Sequence, residues 1–186
     1  CVARLNALFW LRGRRLSDEI LPGLYLGSVK EAGKFDAVLD CAAEFERPSG
    51  AQIYASLPML DMITPSADEL KLGADELERI VKTTLGGGEN LLQTSGAVNK
   101  LEITEVRQTP AGSNERAAEQ DGKKVLVCCA LGYGRSASVL LAWMVIYAGM
   151  GFDEALNLLK SRREKIAVAS SLRDRIEQIA VRTREI

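Results

Sequence analysis

The 186-residue chain contains no histidine. A Ser-His-Asp or Cys-His arrangement, or any histidine-ligated metal site, is therefore excluded within it. Its four cysteines, at positions 1, 41, 128 and 129, lack the paired Cys-x2-Cys spacing of a zinc site. They do not resemble the framework of a secreted disulfide-linked domain either, which suits a reducing compartment. A basic excess is also missing: the formal net charge of −1 argues against a nucleic-acid binder. Long apolar runs are absent too. The longest, Ala137 to Met150 around Trp143, is too short to cross a bilayer core of about 30 Å and reads as a central buried helix.

What is present is enough apolar material for one core: 47% of the residues are hydrophobic, and one domain is the natural count. Gly23 to Leu26, Ala37 to Ala42 and Ile53 to Met59 read as strands, with the polar segment Ser28 to Lys34 turning between the first two. Ser66 is placed to cap an amphipathic helix running to about Thr84, where Gly86-Gly87-Gly88 ends it. Asp153 is expected to cap a helix through Glu164, and Ser170 or Ser171 a last one reaching about Thr183. Strands alternating with helices predict an α/β domain with a central, mostly parallel sheet of four to five strands flanked by helices.

Two segments stand apart. In the first 17 residues, Arg4, Arg12, Arg14 and Arg15 interleave with Leu5, Leu8, Phe9, Trp10 and Leu11. This suits either a helix lying at a membrane surface or just past a spanning segment, or an amphipathic helix packed on the domain. The stretch 86–122 is polar and aperiodic apart from a possible strand over Leu101 to Val106, and reads as an insertion into the domain at 18–186, a mobile excursion more than a substrate lid.

The run Val125-Leu126-Val127-Cys128-Cys129-Ala130-Leu131-Gly132-Tyr133-Gly134-Arg135-Ser136 is an apolar strand, then a glycine-containing loop, then the start of a helix that Ser136 is placed to cap. Such a loop aims backbone N–H groups inward, and the helix terminus adds partial positive charge, so the segment reads as an anion cradle. The same field favours the thiolate of a cysteine at the base of the loop, which makes Cys129 a candidate nucleophile. The bland alternative is a buried structural cysteine beside an ordinary turn. Side chains alternate along a strand, so Cys128 and Cys129 are expected on opposite faces.

Cys129-x5-Arg135-Ser136 resembles the His-Cys-x5-Arg-Ser/Thr signature of the cysteine-dependent protein tyrosine phosphatase superfamily, in its dual-specificity branch. Ile20-Leu21-Pro22-Gly23-Leu24-Tyr25-Leu26-Gly27-Ser28 is similar to that branch's opening strand, and Leu57-Pro58-Met59-Leu60-Asp61 to the segment bearing its general acid. Cys128 stands where the family has the histidine that helps hold and activate the nucleophile. It reads as a packed apolar residue, with a redox role as the alternative. The Cys-Cys version is similar to a bacterial subgroup in which such a domain is fused behind a membrane segment. Asp61 and Cys129 are 68 positions apart, more than in the compact family pattern, and the insertion accounts for the excess.

The resemblance implies phosphomonoester hydrolysis in two steps through a phosphocysteine. Cys129 would be the nucleophile and Asp61 the general acid, with Asp68 as a nearby competitor. Arg135 would grip two phosphoryl oxygens, and Ser136 would donate to the departing sulfur. The amides of Ala130, Leu131, Gly132, Tyr133, Gly134 and Arg135 would bind the phosphate. In some relatives a cysteine near Cys41 forms a reversible disulfide with the nucleophile, so Cys41 is either a redox shield or a packing residue. No cofactor and no metal are expected. The expected substrates are phosphotyrosine, phosphoserine or phosphothreonine proteins. The loop carries no lysine or second arginine, which disfavours a highly charged inositide. The alternatives are a phospholipid head-group phosphatase at a membrane and a pseudophosphatase that binds phosphate without turnover. The chain is expected to be a cytoplasmic monomer, or to lie on the cytoplasmic face of a membrane, with no nucleic-acid partner.

Overall fold

The five residues Val125–Cys129 are all buried and form the middle strand of a five-stranded sheet. The structure is a computed structural model that describes residues 15–42, 44–46, 50–86 and 122–184. The strands are β1 (Ser17–Leu21), β2 (Leu24–Ser28), β3 (Ala37–Ala42), β4 (Ile53–Met59) and β5 (Val125–Cys129), in the spatial order β1-β2-β5-β3-β4. The pairs β2–β5, β5–β3 and β3–β4 are parallel, and only the edge strand β1 runs antiparallel to its neighbour. β5 and β3 are buried along their whole length, and continuous apolar runs suit parallel strands covered on both faces.

The helices are α1 (Ala67–Leu85), α2 (Arg135–Ile146), α3 (Phe152–Arg162) and α4 (Leu172–Arg184). Ser66 caps α1 in a reciprocal capping box with Glu69, and Gly86 ends it at φ 88°. Leu70, Ala74, Leu77 and Val81 line the buried face of α1 at helical spacing. Every residue of α2 is buried, because α1, α3, α4 and the sheet surround it. The main core lies on this side of the sheet and includes Cys41 and Cys129. The opposite face carries a smaller apolar cluster of Val29, Ala32, Phe35, Val38, Leu126 and Cys128.

Several elements differ from the sequence expectation. β1 was not foreseen as a separate strand: it forms a hairpin with β2 through Pro22 and Gly23, the latter at φ 75°. β2 extends to Ser28, and the expected turn is a 3-10 helix, Val29–Lys34, in which the Ser28 hydroxyl accepts from the Lys30 N–H. Asp153 does not cap α3. Gly151 holds that position, and Asp153 sits in the first turn, paired with Arg173. Ser136 does not cap α2 either, because Gly134 is its N-cap. That helix ends at Ile146, short of the expected Met150. Of the N-terminal segment only 15–17, and of the insertion at 86–122 only its two end residues, are described; the strand expected over Leu101 to Val106 lies outside the described residues.

Candidate active site

Cys129 is the last residue of β5, and α2 begins at Arg135, so the loop between them folds back under the N-terminus of a buried helix. Gly134 offers no side chain to the first amides of that helix, which leaves them to the loop and to whatever it binds. Cys129 Sγ accepts hydrogen bonds from the Gly132 N–H and from the Ser136 hydroxyl, each at 3.2 Å. Ser136 therefore serves the sulfur instead of the helix terminus.

Close packing holds the loop in this shape. Gly132 has φ 73°, and a Cβ there would lie 2.4 Å from the backbone C and O of Gly27 on β2. Only glycine fits both the left-handed backbone and the approach. Next to Gly27, Ser28 donates its hydroxyl to the Ala130 carbonyl at 2.7 Å, fully buried. The Ala167 N–H donates to the Tyr133 carbonyl at 2.9 Å. Arg163 donates to the carbonyls of Gly132 at 2.9 Å and Leu131 at 2.8 Å.

The Arg135 side chain is 4% exposed. Its two Nη atoms hold the Glu44 carboxylate end-on at 2.8 and 2.6 Å, and Nη1 also donates to the Met59 carbonyl at 3.1 Å. Nε makes no hydrogen bond. A guanidinium has five N–H donors, and these contacts leave the side-on fork of Nε–H and the second Nη2–H for another ligand. Asp61 Oδ1 lies 3.5 Å from Nε, within ion-pair range but without a hydrogen bond. Burial works against the Arg135 charge, but the bonds to Glu44 and the charges of Cys129 and Asp61 outweigh it and raise the pKa above the usual arginine value.

These groups face a cavity of about 370 Å³ lined by Asp61, Met62, Ile63, Cys129, Arg135 and Lys165, among others. Asp61 is exposed at its mouth, while Asp68 sits in the first turn of α1 and does not line it. Met62 follows Asp61 at φ 62°, a left-handed conformation rarely adopted by an unbranched residue with a side chain, and is 96% exposed. With Leu60 and Ile63 it gives the acidic loop an apolar outer rim.

Cys129, Arg135 and Asp61 thus line one cavity, and the Gly132 N–H and Ser136 hydroxyl meet the Cys129 sulfur. Cys128 pairs in register with Asp40 and packs in the smaller apolar cluster. Burial first, and then the neighbouring Asp40, push its thiol pKa up. Asp40 is buried, accepts from the Ala42 N–H at 2.9 Å and from the Tyr54 hydroxyl at 2.9 Å, and has its own pKa raised by burial. Tyr54 is pushed up to about 12 by burial and by that bond. The register places Cys41 beside Cys129 on the main-core face, where burial and then the Cys129 charge push its thiol up. Among the described residues Cys41, Cys128 and Cys129 are free thiols, and no group of three His, Cys, Asp or Glu side chains is placed to hold a metal ion. No local sequence pattern assigns Glu44, Ser28 or Arg163 a role in the site. Glu44 is 91 positions from Arg135, so no local pattern joins them.

The family model for the dual specificity phosphatase catalytic domain matches residues 115–180. Dual specificity protein phosphatase 26 of Homo sapiens is 41% identical over 56 residues, which is 30% of this chain and 26% of that protein. The match thus spans about a quarter of the length of that curated relative. Among solved structures, human DUSP28 superposes with a TM-score of 0.60 at 13% identity, covering 92% of this chain and 97% of the other. The structure of PTPMT1 in complex with PI(5)P gives a TM-score of 0.57 at 14% identity, covering 92% and 98%. At these identities the superpositions show a shared fold.

Proposed function

We propose that this chain, a member of the cysteine-dependent protein tyrosine phosphatase superfamily in its dual-specificity branch, hydrolyses phosphomonoesters of tyrosine, serine or threonine in proteins through a phosphocysteine. The observation that carries this reading is the setting of Cys129 Sγ: it accepts two hydrogen bonds at the floor of a cavity that Arg135 and Asp61 also face.

In the first step the Cys129 thiolate attacks phosphorus in line, the P–O ester bond breaks, and Asp61 gives its proton to the leaving oxygen. The side-on fork of Arg135 holds two phosphoryl oxygens, while Glu44 and the Met59 carbonyl fix the guanidinium from its other edges. The amides of residues 130–135 take up charge as it shifts toward those oxygens. In the second step Asp61 takes a proton from water, the resulting hydroxide attacks phosphorus, and the P–S bond breaks. The Ser136 hydroxyl and the Gly132 N–H receive the thiolate as it departs.

A second reading, a phosphatase for phospholipid head groups at a membrane, is favoured by the exposed apolar rim of Leu60, Met62 and Ile63. It also draws on the likeness to PTPMT1, a structure solved with PI(5)P. No helix among the described residues is long and apolar enough to cross a membrane, and on this reading the rim would meet the lipid surface. A reducing, cytoplasmic setting fits the spacing of the four cysteines, which lacks the pattern of a secreted disulfide framework. Phosphate release from phosphotyrosine and phosphothreonine peptides, compared with release from vesicles carrying phosphatidylinositol phosphates, tests the choice. Faster turnover of peptides supports the protein substrate. Turnover confined to vesicles overturns it in favour of the lipid. Binding of either without release would leave a pseudophosphatase.

A further inference from the structure

Behind the loop, on the side away from the cavity, lies a second buried arginine that the reaction above does not use. Arg163 is the residue at which the chain leaves α3, and its side chain is 3% exposed. Its Nε donates to Gly132 O at 2.9 Å, and its Nη2 to Leu131 O at 2.8 Å and to Leu16 O at 3.4 Å. Its Nη1 meets Asp18 Oδ2 on β1 at 2.5 Å, and its plane lies over the Tyr133 ring, 4.6 Å from the centroid.

The geometry of a peptide unit gives these contacts a consequence inside the cradle. The unit is planar and trans, so its N–H points opposite to its C=O. Holding the Leu131 and Gly132 carbonyls on the outside fixes the N–H groups of Gly132 and Tyr133 toward the inside. The first of these is seen at its target, since the Gly132 N–H donates to Cys129 Sγ. A single peptide plane therefore separates the Arg163 guanidinium from the sulfur: Nη2 on one side, Sγ on the other. The next carbonyl, Tyr133 O, is held by the Ala167 N–H four residues beyond Arg163, which turns the Gly134 N–H the same way.

We propose that Arg163 is a positioning residue of the phosphate loop, aiming successive amide donors at the Cys129 sulfur and at a bound phosphoryl group, and that Asp18 on β1 sets its orientation. The proposal rests on reading the loop as a phosphate site. A planar fork is required, because two adjacent peptide carbonyls, a carboxylate and a third carbonyl are served at once, and an ammonium group cannot reach all of them. Asp18 is 15% exposed and balances the cation on the outer side of the loop. Asp18 on the edge strand, and Leu16 just before it, are thereby tied to the amides that face the nucleophile.

The test uses Arg163→Met, Arg163→Lys and Asp18→Asn in the full chain. It reads kcat and KM on p-nitrophenyl phosphate, inhibition by orthovanadate, the rate of Cys129 alkylation by iodoacetamide, and the thermal midpoint. Arg163→Met is expected to lower kcat about 10²-fold, as removal of an oxyanion-hole donor does, with slower alkylation and weaker vanadate inhibition. Arg163→Lys should recover little of this loss, and Asp18→Asn should move the same readouts in the same direction by about tenfold, the scale of one weakened charge-assisted bond. If Arg163→Met does not fold, Asp18→Asn decides. A variant with a lowered thermal midpoint but wild-type kcat, vanadate inhibition and alkylation would make Arg163 a plain brace and overturn the proposal. A wild type that binds vanadate without turnover would overturn the hydrolase reading alone, and the vanadate and alkylation comparisons would still decide the role of Arg163.

Discussion

Replacing Glu44 by alanine separates the part of Arg135 that is held from the part that is free to bind. In the wild type the Glu44 carboxylate takes two charge-assisted hydrogen bonds, at 2.6 and 2.8 Å, from a guanidinium that is 4% exposed. Breaking a fully buried pair costs about 3–5 kcal/mol, and an exposed one about 0.2–1 kcal/mol. Glu44 is 28% exposed, so water can reach its side of the pair, and the expected cost is about 2–3 kcal/mol. For a domain of this size that is a fall of about 5–10 °C in thermal midpoint. The Met59 carbonyl still holds one Nη1–H, so Arg135 stays in the site but loses its fixed plane. Inhibition by orthovanadate, which needs two parallel bonds from the remaining fork, should weaken at least about tenfold. Glu44→Gln, which keeps one acceptor and the shape, should fall between alanine and wild type. Differential scanning calorimetry and steady-state inhibition provide both numbers. A thermal midpoint within about 1 °C of wild type, together with unchanged vanadate inhibition, would refute the reasoning.

Three further outcomes follow from the same geometry. Gly132→Ala puts a Cβ 2.4 Å from the Gly27 backbone and forces a residue with a side chain to φ 73°, so the loop must lift. A displacement of about 1 Å predicts a fall in kcat of about 10²-fold, and wild-type kcat in the folded variant would contradict it. Burial raises the folded-state pKa of Asp40 above its ordinary 3.8, so its contribution to stability is fully present below that value and lost as pH rises through the folded one. Asp40→Asn, which cannot ionise, should therefore gain stability over wild type at neutral pH, with the difference vanishing below about pH 4 in urea titrations; a constant difference across pH would rule this out. Peroxide should convert the Cys129 thiolate to a sulfenic acid that Cys41 displaces with loss of water, giving a crosslink seen by peptide mass spectrometry and reversed by dithiothreitol. Neighbouring parallel strands are about 4.8 Å apart, within the span a disulfide bridges, so absence of that crosslink would leave Cys41 a packing residue.

The parts of this molecule legible in the sequence are those that local chemistry determines. The β-branched run into Cys129, the glycines after it and the cap residue Ser66 each announce their element within a few residues. β1 is hard to read because Ser-Asp-Glu-Ile-Leu opens with three polar residues on an edge strand and shows its nature only by pairing with β2. Ser136 was misread as a cap because the same hydroxyl can serve a helix terminus or a sulfur. The choice is made by Gly134, which takes the cap position, and by Cys129 seven residues away. Glu44 and Arg163 were invisible for a stronger reason. Their partners lie 91 positions away in one case, and 31, 32 and 145 in the other, so only the closed sheet brings them to the loop.

The central claim is that Cys129 carries the phosphoryl group. Steady-state hydrolysis of p-nitrophenyl phosphate under reducing conditions, without added metal, by the wild type and by Cys129→Ser tests it most directly. Turnover is expected of the wild type and not of the folded serine variant, which keeps the cradle but lacks the thiol. Turnover by Cys129→Ser at the wild-type rate would contradict it.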